Sequence, residues 1–539
     1  MGVGALGYVG RGFDTVVLPA LGRPLEETGC ISCGQCVSVC PTGALQEHLP
    51  MKKQIPLETE ETDTICGFCS MGCAQKTMTH GSLAVKAIPD PGGPVNAGVL
   101  CVNGRFGFSS ACREEERISV PMLKVNGTVT GASYHDALVM TAKSMQSAAR
   151  RYGSDAVAVA VSARFTTEEA YLAKKLADQL GAKIFSFSNR VCGLEPVLGL
   201  NASPNTMDEL MGTEVILAVG FDAQANQVMR VKLMQAAKAG AQVVLINPVG
   251  YEQEHMEFAA KAVYTDNNPG FLKQVAKVLA ETKTAASGKS PAQSAAEADA
   301  ADLSSVADAT VSDEAAEIAA LYQNAKKAMI VFQQHVVSVS CAELIADIAV
   351  LSGHIGSPRD GIVMLKPKNN SQGLVQLGIT AGAECLEGVK ALLVLGENPD
   401  PEMVKNVEFL AVCDTHLTSL AREADVILPG TAPIHAEGSY INTERRFQMT
   451  HAALEPEAGF RNWQVICELA EALEMPFSCD AEDDIEREMA DSLTWYREAS
   501  EGEVIGGVLK PVKQVLTAVK DDVFAEPSAN TDYLMDIIK

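Results

Sequence analysis

Eight cysteines crowd between Cys30 and Cys101, most of them only two or three residues apart, and nothing else in the 539-residue chain restricts its folding so severely. Seven more are scattered over the remaining length. In a reducing compartment, thiols at such short spacing serve metal ligation rather than disulfides. The composition supports that setting. Acidic residues number 68 against 43 basic ones, a formal charge of −25, which argues against nucleic acid or anionic lipid as the main partner. With 47% hydrophobic and 21% charged residues the chain is globular. No apolar run approaches the ~20 residues that span a bilayer. Met1 to Gly12 also lacks the basic-then-apolar order of a secretory signal. The expected setting is soluble and cytoplasmic, with three or four domains.

Cys30, Cys33, Cys36 and Cys40, followed by Pro41, spell C-x2-C-x2-C-x3-C-P, the run that holds a [4Fe–4S] cluster in bacterial ferredoxins. Short spacings wrap three thiolates around one corner of a cubane, Gly34 leaves room for backbone N–H groups, and Pro41 turns the chain away. In two-cluster ferredoxins the fourth cysteine of a run serves the other cluster. Here no first run precedes, and Gly2 to Gly29 reads as the strand-rich connector between two runs. Either Cys40 closes the local cluster, or a partner subunit supplies the other half. A second set, Cys66, Cys69, Cys73 and Cys101, gives C-x2-C-x3-C-x27-C and suits a second cubane whose last corner is reached by a returning loop. Four thiolates also suit zinc.

Beyond Arg117 the pattern alternates between β and α. Ala156–Val161, Glu214–Val219, Ala328–Phe332 and Val389–Leu395 are continuous apolar runs separated by helical stretches such as Thr167–Leu180, which ends at Gly181. Such strands belong to parallel sheets covered on both faces. The expected fold is α/β, with two doubly wound parallel-sheet units preceded by small ferredoxin-like modules. The expected divisions are residues 1–55 and 56–118 for the two cysteine modules, and 119–187 with 370–475 for the first α/β domain. Residues 188–369 form the second, with an Ala/Ser/Asp-rich insertion at 282–314, and 476–539 an acidic tail in which Asp480–Met489 and Val512–Val519 form helices. Cys112, Cys341, Cys385, Cys413, Cys467 and Cys479 have no ligand spacing and read as core.

Several ordered segments resemble the molybdopterin oxidoreductases, in particular formate dehydrogenase catalytic subunits and the large iron–sulfur subunit of complex I. Leu100–Phe106 resembles the segment around their last cluster cysteine, which disfavours zinc at the second set. Ser188–Cys192 is similar to the active-site segment of formate dehydrogenases, and Asn369–Gly373 to their N-N-x-Q-G element. Gly396–Pro399, Ala424–Pro429 and Glu437–Arg446 follow the same family pattern. The resemblance implies that Cys192 occupies a metal-ligand position. It also implies that Asn103, Gly220, Asn247, Gly396 and Asn398 lie along a pterin cleft.

The departures from the pattern matter as much. The family's lysine two residues after the last cluster cysteine is Asn103, the histidine after the metal ligand is Gly193, and the formate-holding arginine is Lys366. Lys366 keeps the charge and loses the bidentate fork. The D-P-R turn toward a guanosine reads Asn247-Pro248-Val249. The chain is also expected to begin partway through a two-cluster domain and to stop before the family's C-terminal barrel-like cap. Each lost charged contact costs about 1.5–3 kcal/mol of binding.

The expectation is therefore an iron–sulfur electron-transfer subunit with two [4Fe–4S] clusters and no bis-pterin molybdenum or tungsten cofactor. Its partners would be a flavin-bearing, NAD(P)H-oxidising subunit and other iron–sulfur subunits of a ferredoxin- or NAD(P)H-linked complex. The alternative is a molybdenum or tungsten formate dehydrogenase catalytic subunit that uses Cys192 as metal ligand and Lys366 as carboxylate clamp.

Overall fold

A run such as Val157–Val161 (VAVAV) or Val215–Val219 (VILAV) has no polar face to offer water, so it is stable only with cover on both sides. The computed structural model describes residues 1–47, 58–108, 117–190, 192–253, 255–266, 268–287, 310–380 and 382–502. Cys112, the 512–519 segment and most of the 282–314 stretch lie outside them. Within the described residues, those two runs and Ala391–Leu395 are fully buried central strands.

Five strands form one wholly parallel sheet, in the order Lys261–Thr265, Gln242–Pro248, Val215–Val219, Ala328–Gln333, Gly361–Leu365. Seven form the other, in the order Thr128–Gly131, Met122–Val125, Val426–Pro429, Phe409–Asp414, Ala391–Leu395, Val157–Val161, Lys183–Phe185. It is parallel except at the first two strands, an antiparallel hairpin laid on Val426–Pro429. The protein is thus an α/β molecule with two doubly wound units. The chain leaves the seven-stranded sheet after Lys183–Phe185, builds the five-stranded sheet, and returns at Ala391–Leu395.

This winding places the binding crevices. Strand order reverses between Val157–Val161 and Ala391–Leu395 in one sheet, and between Val215–Val219 and Ala328–Gln333 in the other. Ligands of open α/β sheets bind just outside the carboxyl ends of strands at such reversals. The helices that follow are fixed by local signals: Thr167–Leu180 starts with a capping box between Thr166 and Glu169 and stops where Gly181 takes φ 64°.

Smaller modules flank the sheets. Glu60–Ile65, Ala74–His80 and Leu83–Pro89 form a three-stranded antiparallel sheet. Leu6–Val9 and Val16–Pro19 form a hairpin. At the other end, helices Glu482–Ser492 and Thr494–Glu501 dock on the seven-stranded unit. They bury Ile485 and Met489, and Tyr496 donates a 2.6 Å hydrogen bond to the buried Glu168 carboxylate. No helix among the described residues is long and apolar enough to cross a membrane.

Candidate functional site

Cys66 follows the Glu60–Ile65 strand and Cys73 precedes Ala74–His80, so the sheet brings them together: Cys66 N–H donates to the Cys73 carbonyl at 2.9 Å. Gly72 takes φ 67°, which lets the intervening loop close. Cys101 caps the helix Val102–Phe106. Burial, and then the neighbouring thiols, push Cys66 and Cys73 far above the usual thiol range and Cys69 to about 12. Backbone N–H groups oppose this, from Phe68 at Cys66, Met71 at Cys69, and Asn103 and Gly104 at Cys101.

Among the described residues no three Cys, His, Asp or Glu side chains close around a single ion. Two buried and two half-buried thiols that act on one another, with backbone N–H groups directed at them, have the donor set of an iron–sulfur cluster.

Cys30, Cys33, Cys36 and Cys40 are half-buried. Gly34, at φ 66°, begins the helix Gln35–Val39 that carries Cys36, and Cys30 and Cys33 are the thiols that act on Cys36. Cys40 is held differently. Its sulfur lies 3.6 Å from Thr42 Oγ1, and hydrogen bonds led by the Leu45 N–H draw it down to about 7. The two thiol groups adjoin: Cys33 acts electrostatically on Cys101, and Gln35 Nε2 donates to the Gly98 carbonyl at 2.8 Å.

Beside the second group lies a cavity of about 100 Å3, at the reversal point of the seven-stranded sheet. Arg164, Lys368, Glu397 and Asp414 line it, together with Gly396 and Asn398. Arg164 and burial hold Lys368 down to about 7, and burial lifts Asp414 to about 6. Glu397 accepts from Ser186, Phe187 and Ser188 at 2.7–3.0 Å, tying the segment before Cys192 to the cleft floor. Arg164 lies over the Phe68 ring at 5.9 Å and acts on Cys66, while Lys368 acts on Cys69. Asn398 turns its Oδ1 to the Leu420 N–H and the Ser419 hydroxyl.

At the reversal point of the five-stranded sheet, Gly220 and Asn247 are closely packed. A Cβ at Gly220 would meet Val337 at 2.7 Å and Val336 at 3.2 Å. Asn247 is fully buried: its Oδ1 accepts from Phe221 N–H at 2.8 Å and its Nδ2 donates to the carbonyls of Phe221 and Tyr251 at 3.0 and 3.2 Å. Gly220 follows a strand of the five-stranded sheet and Asn247 lies in one, and Gly396 and Asn398 follow a strand of the seven-stranded one. Asn103 is half-buried beside Cys101.

Cys192 and Lys366 are brought together, and both are inside. Cys192 is 1% exposed, with Sγ 3.4 Å from Met364 Sδ and accepting from Leu194 N–H at 3.3 Å. Burial raises its thiol against the pull of Lys366, and burial lowers Lys366 to about 8. Lys366 Nζ reaches the Asn201 carbonyl and Oδ1, both at 3.4 Å. Gly193 has no room for a side chain: a Cβ there would collide with the Val339 carbonyl and stand 2.9 Å from Ala342 Cβ.

Two sheets wound in this way, with thiol groups next to the crevice of one, define an α/β oxidoreductase body fitted with iron–sulfur modules. The molybdopterin oxidoreductase model matches residues 117–472, the molybdopterin oxidoreductase Fe4S4 domain matches 59–111, and a 4Fe-4S binding domain matches 25–46; the chain belongs to the molybdopterin oxidoreductase family. It is 24% identical to the F420-dependent formate dehydrogenase 1 subunit alpha of Methanococcus maripaludis, over 77% of this chain and 71% of that one. It is 23% identical to the Bacillus subtilis protein named "Probable oxidoreductase YjgC", over 84% of this chain and 56% of the relative, so it spans little more than half of that protein. Acetylene hydratase from Pelobacter acetylenicus shares the fold, with a TM-score of 0.61 at 14% identity over 83% of this chain and 74% of the hydratase.

The residues that sequence reasoning passed over are cations and a thiol pair. Arg105 gives a faint signal, one helical turn after Cys101. Arg164 and Lys368 give none, because only the fold sets them beside Cys66 and Cys69. Cys467 and Cys479, expected as separate core residues, have sulfurs 2.9 Å apart.

Proposed function

We propose that this chain is an iron–sulfur electron-transfer subunit of a multi-subunit NAD(P)H- or ferredoxin-linked oxidoreductase. Cys30, Cys33 and Cys36, with Cys40 or a partner's thiol, would hold one [4Fe–4S] cluster. Cys66, Cys69, Cys73 and Cys101 would hold another, and the α/β body would carry no metal-bearing pterin. The observation that carries this reading is the contrast between the two kinds of site. The thiol groups adjoin, with Gln35 bonded to the Gly98 carbonyl, whereas Cys192 is a lone buried thiol packed against Met364, with Lys366 nearby and no room for a side chain at Gly193.

The size of the cavity beside the second thiol group supports the reading without a pterin. Small-molecule sites run to ~300–1,000 Å3, against about 100 Å3 here. Val336 and Val337 pack close to Gly220, and the Asn247 amide is engaged with backbone.

Bound clusters would supply reversible one-electron storage. The chain supplies thiolates, N–H donors to sulfur, and an interior that keeps water from the second group. Hydride donors give electrons in pairs, so a flavin-bearing subunit would split them first. Such a partner would dock on the exposed apolar side chains near the first thiol group. On the hairpin and its flank Tyr8 is 84% exposed and Leu21 88%, and Val39, beside Cys40, is 71% exposed.

One observation favours a second reading, a formate dehydrogenase catalytic subunit: the fold places Lys366 beside Cys192, a cation next to the candidate ligand. Metal analysis of anaerobically purified protein separates the two. About eight irons per chain with no molybdenum, tungsten or extractable pterin fits the electron-transfer role. Stoichiometric pterin and metal would overturn it.

A further inference from the structure

The two thiol groups sit on different modules, and electron passage between them requires that their separation and the charge between them be fixed. Arg105 occupies that junction. It lies on the short helix Val102–Phe106, which starts at Cys101, so its backbone moves with the second group. Its side chain crosses to the first. Nη2 donates to Ser38 Oγ in the first module, and Nη1 donates to the Ala87 carbonyl of the three-stranded sheet at 3.2 Å. The stem passes beneath the loop between Cys33 and Cys36, and a Cβ at Gly34 would stand 3.0 Å from both Arg105 Cγ and Nε.

Arg105 is 1% exposed, and its Nε is buried with no hydrogen-bond partner among the described residues. A buried N–H donor left open costs free energy unless something accepts from it. The negative charges acting on Arg105 are Glu47 first, then Cys33 and Cys36.

We propose that Arg105 is the positioning residue of the inter-cluster junction: it clamps the Cys33–Cys36 loop to the second module and directs Nε–H to the sulfur of the cluster held there. This rests on the assignment of clusters to both thiol groups. Reduction adds one negative charge to a cluster, and a fixed cation with an N–H donor at sulfur favours the reduced form. Arg105 therefore makes the first cluster easier to reduce than it would be without that cation, although the residue belongs, by sequence, to the second module.

The test uses the full chain, purified anaerobically, as wild type, Arg105→Gln, Arg105→Lys and Gly34→Ala. The last drives a methyl group into the arginine stem and leaves the charge in place. Iron is counted, and each cluster is titrated by EPR-monitored reduction. Eight irons in the wild type test the cluster assignment by themselves. Given those, Arg105→Gln is expected to shift the reduced-to-oxidised ratio of the first cluster about tenfold toward oxidised at fixed poise, which is 59 mV for a one-electron couple. Arg105→Lys recovers part of the shift by restoring charge without the fork, and Gly34→Ala weakens the magnetic interaction between the reduced clusters. Loss of the first cluster alone in Arg105→Gln or Arg105→Lys also supports the clamp. Eight irons with unchanged potential and coupling in all three variants overturns the proposal, as does loss of both clusters together in every variant, which would make Arg105 a folding residue only.

Discussion

Asn247→Asp turns one atom of the chain into a test of what the second crevice is for. If Asn247 is a structural cross-tie, its Nδ2 donations to the Phe221 and Tyr251 carbonyls hold the turn after Val215–Val219 against the end of Gln242–Pro248. Aspartate keeps the acceptor for the Phe221 N–H and loses both donors, setting a carboxylate against two carbonyl oxygens in a fully buried spot. Each orphaned buried group costs about 1–3 kcal/mol. The variant should thus lose about 2–6 kcal/mol at pH 7, read as a lower urea midpoint for the body of the protein.

The pH dependence adds a signature. A carboxyl buried against carbonyls prefers its proton, so its folded pKa is raised above the ordinary ~3.9 of an exposed aspartate. Between those two values the folded state binds more protons than the unfolded state, and stability falls as pH rises. The deficit relative to wild type should therefore be smaller at pH 5 than at pH 8. If Asn247→Asp matches wild type within 0.5 kcal/mol at both pH values, the cross-tie reasoning fails. If it also gains affinity for a guanine nucleotide, the crevice is a binding site after all.

Three further outcomes are expected. Cys192→Ser should leave cluster potentials and electron transfer through the complex unchanged while costing about 1–3 kcal/mol for a hydroxyl buried against Met364; complete loss of turnover with normal stability would instead place chemistry at that thiol. Cys467 and Cys479 should form a disulfide on exposure to oxidised glutathione, two thiols giving two electrons and two protons to the small disulfide, which leaves as two thiols. Mass spectrometry should then show a cross-link between the Asn462–Ala472 helix and the segment after it, lost in Cys479→Ser; unchanged free-thiol content would refute the juxtaposition. Burial, then Arg117 and Arg461, hold the His435 imidazole down to about 4, below the ordinary 6.5, so the unfolded chain binds its proton first and stability drops as pH falls from 6.5 to 4. His435→Leu should remove up to about 3 kcal/mol of that drop, measured as urea midpoints at pH 7 and pH 4.5; an identical slope in both proteins would show that His435 is not the group responsible.

What could be read from the sequence follows the range of the interactions involved. Thr167–Leu180 was legible to the residue because its Thr166–Glu169 capping box and Gly181 stop lie within the segment itself. The buried strands were legible because five successive apolar residues leave no alternative: Glu214–Val219 was expected and Val215–Val219 is found. The contact between Cys467 and Cys479 was not, because it depends on how the chain folds back after a helix end across a sequence separation of twelve.

The same principle bears on the cation that the chain lacks at Asn103. A neutral side chain two residues after Cys101 suggests that no positive charge stands between the second thiol group and the cleft. The fold supplies two from elsewhere: Arg164, just past the end of Val157–Val161, acts on Cys66, and Lys368, just past Gly361–Leu365, acts on Cys69, while both line the cavity. They come from different sheets and lie 204 residues apart in sequence. Two positive charges in so buried a place repel one another, and Lys368 is drawn down to about 7 chiefly by Arg164. Such a pair is costly unless negative charge lies nearby. Glu397 and Asp414 on the cleft side, and the thiolates of the second group on the other, are the charges available to balance it. The loss of one residue type at one motif position therefore does not establish that its electrostatic role has been lost.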